Sequence, residues 1–149
     1  MEFFDRRFRA KEDAFGVNSQ IKSCNRIGLK RIILVSSLCA GKIIHPLNLF
    51  GLILIWKKLG EDFLQRSELD WTIIRPGGLN EKESELDKEN IIYSSQNTQE
   101  EGYIPRRLVA RCCIEALKTK TSIGRIIEIT SSSDQPKTNL KSALEKFAI

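Results

Sequence analysis

The stretch Arg31-Ile-Ile-Leu-Val-Ser-Ser37 decides the fold class. It is a short, unbroken, β-branched run closed by small polar residues, the pattern of a strand buried on both faces of a parallel sheet. Two further segments share it. Trp71-Thr-Ile-Ile-Arg75 ends sharply at Pro76-Gly77-Gly78, and Arg125 to Thr130 carries Ile126, Ile127 and Ile129. Helical patterns lie between these runs. Ala14, Val17, Ile21 and Cys24 recur at three- and four-residue spacing and predict a helix over 14–27, with Gly28 as its stop. A second helix is predicted from Pro46 to Arg66, with Glu61, Asp62, Gln65 and Arg66 on its polar face. A third runs from Pro105, near its first turn, to Leu117, and a fourth from Lys137 to Phe147. Ile91-Ile92-Tyr93 predicts a short extra strand, and 81–90 and 97–102 read as polar loops.

Strands alternating with helices imply right-handed crossovers. The expected fold is α/β, a small parallel sheet of three main strands with helices on both faces. Ligands of such sheets gather beyond the carboxyl ends of the strands. Two loops are predicted there, Ser36 to Gly41 and Pro76 to Asn80.

Composition narrows the function classes. Hydrophobic residues make up 41% and charged residues 29% of the 149, as in a globular domain with its own core. The net charge of +5 attracts anions. Its basic residues are scattered and do not interleave with aromatics, so no nucleic-acid partner is expected. Cys24, Cys39, Cys112 and Cys113 form no CxxC pair, and His45 is the only histidine, so no zinc site is expected. Four reduced, mostly buried thiols fit a cytoplasmic compartment. Lone His45, just before Pro46, reads as structural. The apolar stretch Ile43 to Trp56 is too short and interrupted for a transmembrane segment, although Leu47 to Lys58 has the makings of a surface-binding helix. The charged N-terminus has no signal-peptide core.

Nine glycines are present, and no three of them give GxGxxG after a strand; no P-loop is present either. Other residues carry a resemblance. Gly16-Val-Asn-Ser-Gln-Ile21, Gly28-Leu-Lys-Arg-Ile-Ile-Leu-Val-Ser-Ser37, His45-Pro-Leu-Asn48, Trp56-Lys57-Lys58 and Glu61-Asp-Phe-Leu64 are followed by Trp71-Thr-Ile-Ile-Arg-Pro-Gly-Gly-Leu79, Ile104-Pro-Arg-Arg-Leu-Val-Ala110 and Ile114-Glu-Ala-Leu117. Together they resemble the second half of the NmrA-like, NAD(P)H-binding group of atypical short-chain dehydrogenase/reductases of cyanobacteria and plant plastids. Residues 1–13 then form a charged lead-in, and 14–149 the C-terminal part of a Rossmann-like domain.

The resemblance implies a site and a cofactor, NADP or NAD. Ser36 and Ser37 match the serines near the nicotinamide and substrate; equally, they turn the chain after a strand. Lys57 matches the family lysine that bonds the ribose, or else pairs with Glu61 one turn on as an exposed helix lysine. The tyrosine expected four residues earlier is Ile53. Arg75, Pro76, Gly77, Gly78 and Leu79 match the loop that closes over the nicotinamide, where glycines admit a flat ring, or form a plain Pro-Gly turn. Arg106 matches an arginine at the start of the penultimate helix, although the aspartate usual two positions later is Leu108.

The family's glycine-rich half has no counterpart in this sequence. Hydride transfer is therefore expected only with a phosphate loop from a partner. The alternative is a non-catalytic binding or assembly module. Without the missing strands, 32–35 becomes a sheet edge, which predicts self-association or a partner chain there. The compartment is cytoplasmic, or the plastid stroma if the source is a plant.

Overall fold

The structure is a computed structural model that describes residues 2–40, 42, 53–81, 86 and 88–147, with side chains from residue 14 onward. The predicted helix start at Pro46, His45 and most of the apolar stretch 43–56 lie outside the described residues. The chain divides into two compact units, residues 1–32 with 39–71, and residues 33–38 with 72–149.

The first unit is built on two helices, α1 (Glu2–Ile27) and α2 (Ile53–Gln65). Ala14, Val17 and Ile21 are buried and Cys24 is half-buried, so the three- and four-residue spacing does mark the packed stripe. Gly28 ends α1 in the left-handed region at φ 75°, and Leu29 N–H reaches back to Cys24 O at 2.9 Å. The helix begins earlier than its apolar period, so the charged lead-in is helical. Gly60 sets how closely α2 approaches α1: a Cβ there would meet Val17 Cγ2 at 3.3 Å. Glu61 corrects one expectation. It is fully buried on α2 rather than on the polar face, whereas Arg66 is exposed. No helix among the described residues is long and apolar enough to cross a membrane.

The second unit holds the sheet. Its strands are β1 (Arg31–Val35, of which 33–35 belong here), β2 (Asp70–Pro76), β4 (Asn90–Ser95) and β6 (Arg125–Ser132), in the order β1-β2-β6-β4. Strands β2 and β6 pair in parallel from Thr72↔Arg125 to Pro76↔Ile129. The short extra strand expected at 91–93 is β4, which spans six residues and runs antiparallel to β6, from Asn90↔Ser132 to Ser95↔Ile127. An antiparallel edge on a parallel sheet is common. A second, two-stranded sheet pairs β3 (Gly78–Asn80) with β5 (Tyr103–Pro105). The first of these falls where the sequence pattern predicts a turn, and the second follows the predicted polar loop and takes in Pro105, which was expected to be helical.

Helices α3 (Arg106–Lys118) and α4 (Leu140–Lys146) complete this unit. Pro105 is the N-cap of α3 rather than part of its first turn. Asn139 caps α4 by accepting from Ser142 N–H at 2.8 Å. Glu115 joins the two helices to the sheet edge, accepting from Leu140 N–H and from Tyr93 O–H. Leu108, Cys112, Ala116, Leu140 and Leu144 pack on Ile74, Ile127 and Ile129 to form the core. Only Cys39 and Cys112 are buried; Cys24 and Cys113 are half-buried, which corrects the expectation of mostly buried thiols. Burial, with smaller contributions from Cys113 and Glu115, holds the Cys112 thiol well above its ordinary pKa and makes it a poor nucleophile. Leu108 is 1% exposed, so Leu108→Ala should cost about 2–5 kcal/mol of unfolding free energy. Urea melts followed by circular dichroism measure it, and a loss well under 1 kcal/mol would contradict the core described.

Candidate functional site

Parallel strands leave their last carbonyls and the first loop amides at one edge. Here the chain folds these back on its neighbours. Ser36 N–H donates to Ile74 O at 2.7 Å and Leu38 N–H to Pro76 O at 3.0 Å, which lays the loop after β1 along the end of β2. Gly77 N–H donates to Ile129 O at 2.9 Å, and Gly78 N–H to Gly102 O at 2.8 Å. Ser36, Ser37 and Pro76 to Leu79 are thereby brought together at the carboxyl ends of β1 and β2.

Ser36 has an unused hydrogen-bonding group, as Gln65, Ser94 and Gln99 do elsewhere in the structure. It is 6% exposed, and its hydroxyl has no hydrogen-bond partner among the described residues. Buried hydroxyls are nearly always paired, so this one asks for an explanation. Ser37 is half-buried, and Leu79 is half-exposed at the surface of β3.

The glycines have an internal reason. A Cβ on Gly77 would meet Gly102 O at 2.4 Å, and one on Gly78 would meet Tyr103 Cδ1 at 2.7 Å. Gly102 lies at φ 137°, where a Cβ would meet Thr130 Cγ2 at 2.5 Å. The loop after β2 and the start of β5 are therefore in backbone contact, and no side chain fits between them.

Arg75 is 1% exposed. Its guanidinium donates to Glu128 Oε1 at 3.3 Å and to Asn97 Oδ1 at 3.0 Å. Glu128, also 1% exposed and opposite Arg75 in the β2–β6 register, accepts as well from the N–H groups of Asn97, Thr98 and Gln99 at 2.8, 3.0 and 2.9 Å. Sequence reasoning singled out Arg75 and passed over Glu128. The available signal was one acid inside a buried β-branched run and one base inside another.

Arg106 begins α3 at the surface, 3.7 Å from Glu81, with both side chains more than half exposed. Leu108 is in the core rather than at a polar helix start. Lys57 belongs to the other unit. It is half-buried on α2, and Glu61 beneath it in sequence is fully buried rather than a solvent-facing partner. On the same helix Lys58 pairs with Asp62. No metal-binding cluster of His, Cys, Asp and Glu occurs among the described residues.

For the nicotinamide end of a dinucleotide these residues offer a buried hydroxyl with no partner among the described residues, close in the fold to the backbone of Pro76 to Gly78. For its pyrophosphate end no glycine-rich phosphate loop is present in the sequence. Gly77→Ala should destabilise the fold by about 1–3 kcal/mol through the forced shift of Gly102. Differential scanning calorimetry would register the lower midpoint, and an unchanged midpoint would contradict the contact.

Comparison with known proteins agrees with this geometry. Residues 6–120 match the model of the NAD(P)H-binding family. An uncharacterised chloroplast protein of Arabidopsis thaliana, At2g34460, is 34% identical over 88% of this chain and 49% of its own length. Sanguinarine reductase of Eschscholzia californica is 33% identical over 82% of this chain and 46% of its own. The oxidoreductase YlbE of Lactococcus lactis superposes with a TM-score of 0.72 at 26% identity, covering 91% of this chain and 60% of that one. The chain thus spans about half the length of the curated relatives it matches. Strand order, sequence match and superposition together place the chain in the NAD(P)H-binding family of Rossmann-like, atypical short-chain dehydrogenase/reductase-like proteins.

Proposed function

We propose that this chain forms the nicotinamide-facing part of an NAD(P)H-dependent oxidoreductase site, with the phosphate-binding loop supplied by other polypeptide. The observation that carries this is the buried, unpartnered hydroxyl of Ser36 beside Pro76 to Gly78. Leaving such a group unpaired costs about 1–3 kcal/mol, which a ligand atom accepting its hydrogen bond recovers. When bound, reduced nicotinamide supplies a hydride. Ser36 donates its hydroxyl proton to a substrate carbonyl oxygen as a hydrogen bond, and Ser37 is the second hydroxyl within the same loop. The backbone of Pro76 to Leu79 bounds the ring and keeps water from it. Arg75 contributes through the shape of that loop, since its guanidinium is committed to Glu128 and Asn97. Lys57 keeps the ribose role that the family resemblance implies, and Arg106, exposed at the start of α3, is the surface cation for the cofactor's charged half. The cofactor is NADP or NAD. Ile53 in place of the tyrosine leaves the final proton to solvent or substrate. The chloroplast label of the Arabidopsis relative favours the plastid stroma over the cytoplasm.

One observation favours the second reading, a non-catalytic binding or assembly module. Strand β1 is the edge of the described sheet, and Val35 is 42% exposed, so the edge offers unpaired backbone groups to a second copy or a partner strand.

A paired titration separates the two. Reduced nicotinamide mononucleotide and NADPH should bind the purified chain with dissociation constants within about tenfold of each other, because the sequence has no glycine-rich loop for the pyrophosphate and one exposed cation, Arg106, adds little. Ser36→Ala should weaken both. Micromolar NADPH binding without mononucleotide binding would contradict the assignment of the nicotinamide end. A folded chain that binds neither, and elutes as a dimer on size exclusion, would favour the module.

A further inference from the structure

We infer that Glu128 is the positioning residue of the Gly77-Gly78 loop, acting through the segment 97–102; its relevance to the nicotinamide rests on the function proposed above. The carboxylate lies in the middle of β6, 1% exposed, and four donors converge on it. Oε1 accepts from Arg75 and Asn97, and Oε2 from Thr98 and Gln99. Three successive backbone N–H groups form a concave anion site, here filled by the protein's own side chain. Arg75 closes the ring by donating to Asn97 Oδ1, and Asn97 takes the left-handed region at φ 62°.

Two residues further along β6, Thr130 is buried too, so both side chains stand on one face of the strand. Glu128 grips the start of the 97–102 segment, and Thr130 abuts its end at Gly102. Gly102 in turn accepts from Gly78 N–H at 2.8 Å and fills the space where a Gly77 side chain would be. One face of β6 therefore fixes, through a six-residue loop, the height and angle of the loop after β2. Tyr103 follows directly. Its ring carbons lie over Gly78, and the side chain is 69% exposed, so the same clamp also sets where this aromatic ring stands beside the loop.

A merely structural carboxylate would hold only what it touches. A positioning one also controls amides it does not touch. Amide hydrogen exchange of Glu128→Gln against the native chain tests this. The uncharged side chain turns an amino group toward donors, so the amides of 97–99 should exchange about tenfold faster or more. The same change should appear at Gly78 and Tyr103, with the amides of α3 and α4 unaffected. Faster exchange confined to 97–99, or none, would overturn the inference. If Glu128→Gln does not fold, Asn97→Gly removes one of Arg75's acceptors from an exposed turn. It should give the same pattern at smaller amplitude, and its confinement to 97–99 would be equally fatal. Titration of reduced nicotinamide mononucleotide on the same samples separates the two claims. Native binding that weakens in the variant supports the positioning of a cofactor loop. Native binding unchanged in a variant with loosened Gly78 would overturn that link. A native chain that binds none removes the function proposed above, and the exchange pattern still decides the clamp.

Discussion

A carboxylate buried in a sheet must be paired, and in this protein that requirement organises the site end of the second unit. Burying the Glu128 carboxylate without donors would be costly. Arg75 on the neighbouring strand and the amides of 97–99 supply them. Satisfying the charge bends the 96–102 connection back across the sheet end, where Gly102 meets Gly77 and Gly78. The two small strands β3 and β5 pair as a result, and Pro105 then opens α3. The conformation of a loop that carries no charge of its own is thus dictated by a buried ion pair one strand away.

Much of this was legible in the residues, and the losses have physical reasons. The spacing of Ala14, Val17 and Ile21 predicted the packed stripe of α1, and Gly28 its end, because helix periodicity and a left-handed stop are local properties. The runs at 31–35, 71–75 and 125–130 were readable as strands; those at 71–75 and 125–130 are buried as expected, whereas 31–35 is the sheet edge and is half-buried, with Val35 exposed. Strands β3 and β5 were not, since three residues are too few to show a period and Gly-Gly reads as a turn. Glu61 was placed on the wrong side of α2 because a charge is read as solvent-facing unless a buried partner is known. At Gly77 and Gly78 the space a Cβ would take is filled by Gly102 and Tyr103, a packing reason for glycine in addition to the one expected from sequence. Which atoms fill the space beside a glycine is a tertiary fact that no local pattern carries.

The Ser36 hydroxyl illustrates the same division. Its position after a strand follows from sequence, and its lack of a partner among the described residues does not. Family membership and strand order say where a Rossmann-like protein holds ligand. The orphan hydroxyl says which side chain has a hydrogen bond to give there. No glycine-rich phosphate loop occurs in this sequence, and the proposed site therefore concerns the nicotinamide end of a dinucleotide alone.

The central claim, that the strand ends at Ser36 and Pro76 to Asn80 receive a nicotinamide, is tested most directly by amide NMR of the chain with and without NADPH. Weak, fast-exchanging binding is sufficient for this measurement. The account predicts shifts concentrated at 36–38 and 76–80, extending to Tyr103 and reduced by Ser36→Ala. Shifts centred instead on the far side of the sheet, around Tyr93 and Phe147, or a spectrum unmoved at saturating NADPH, would contradict it.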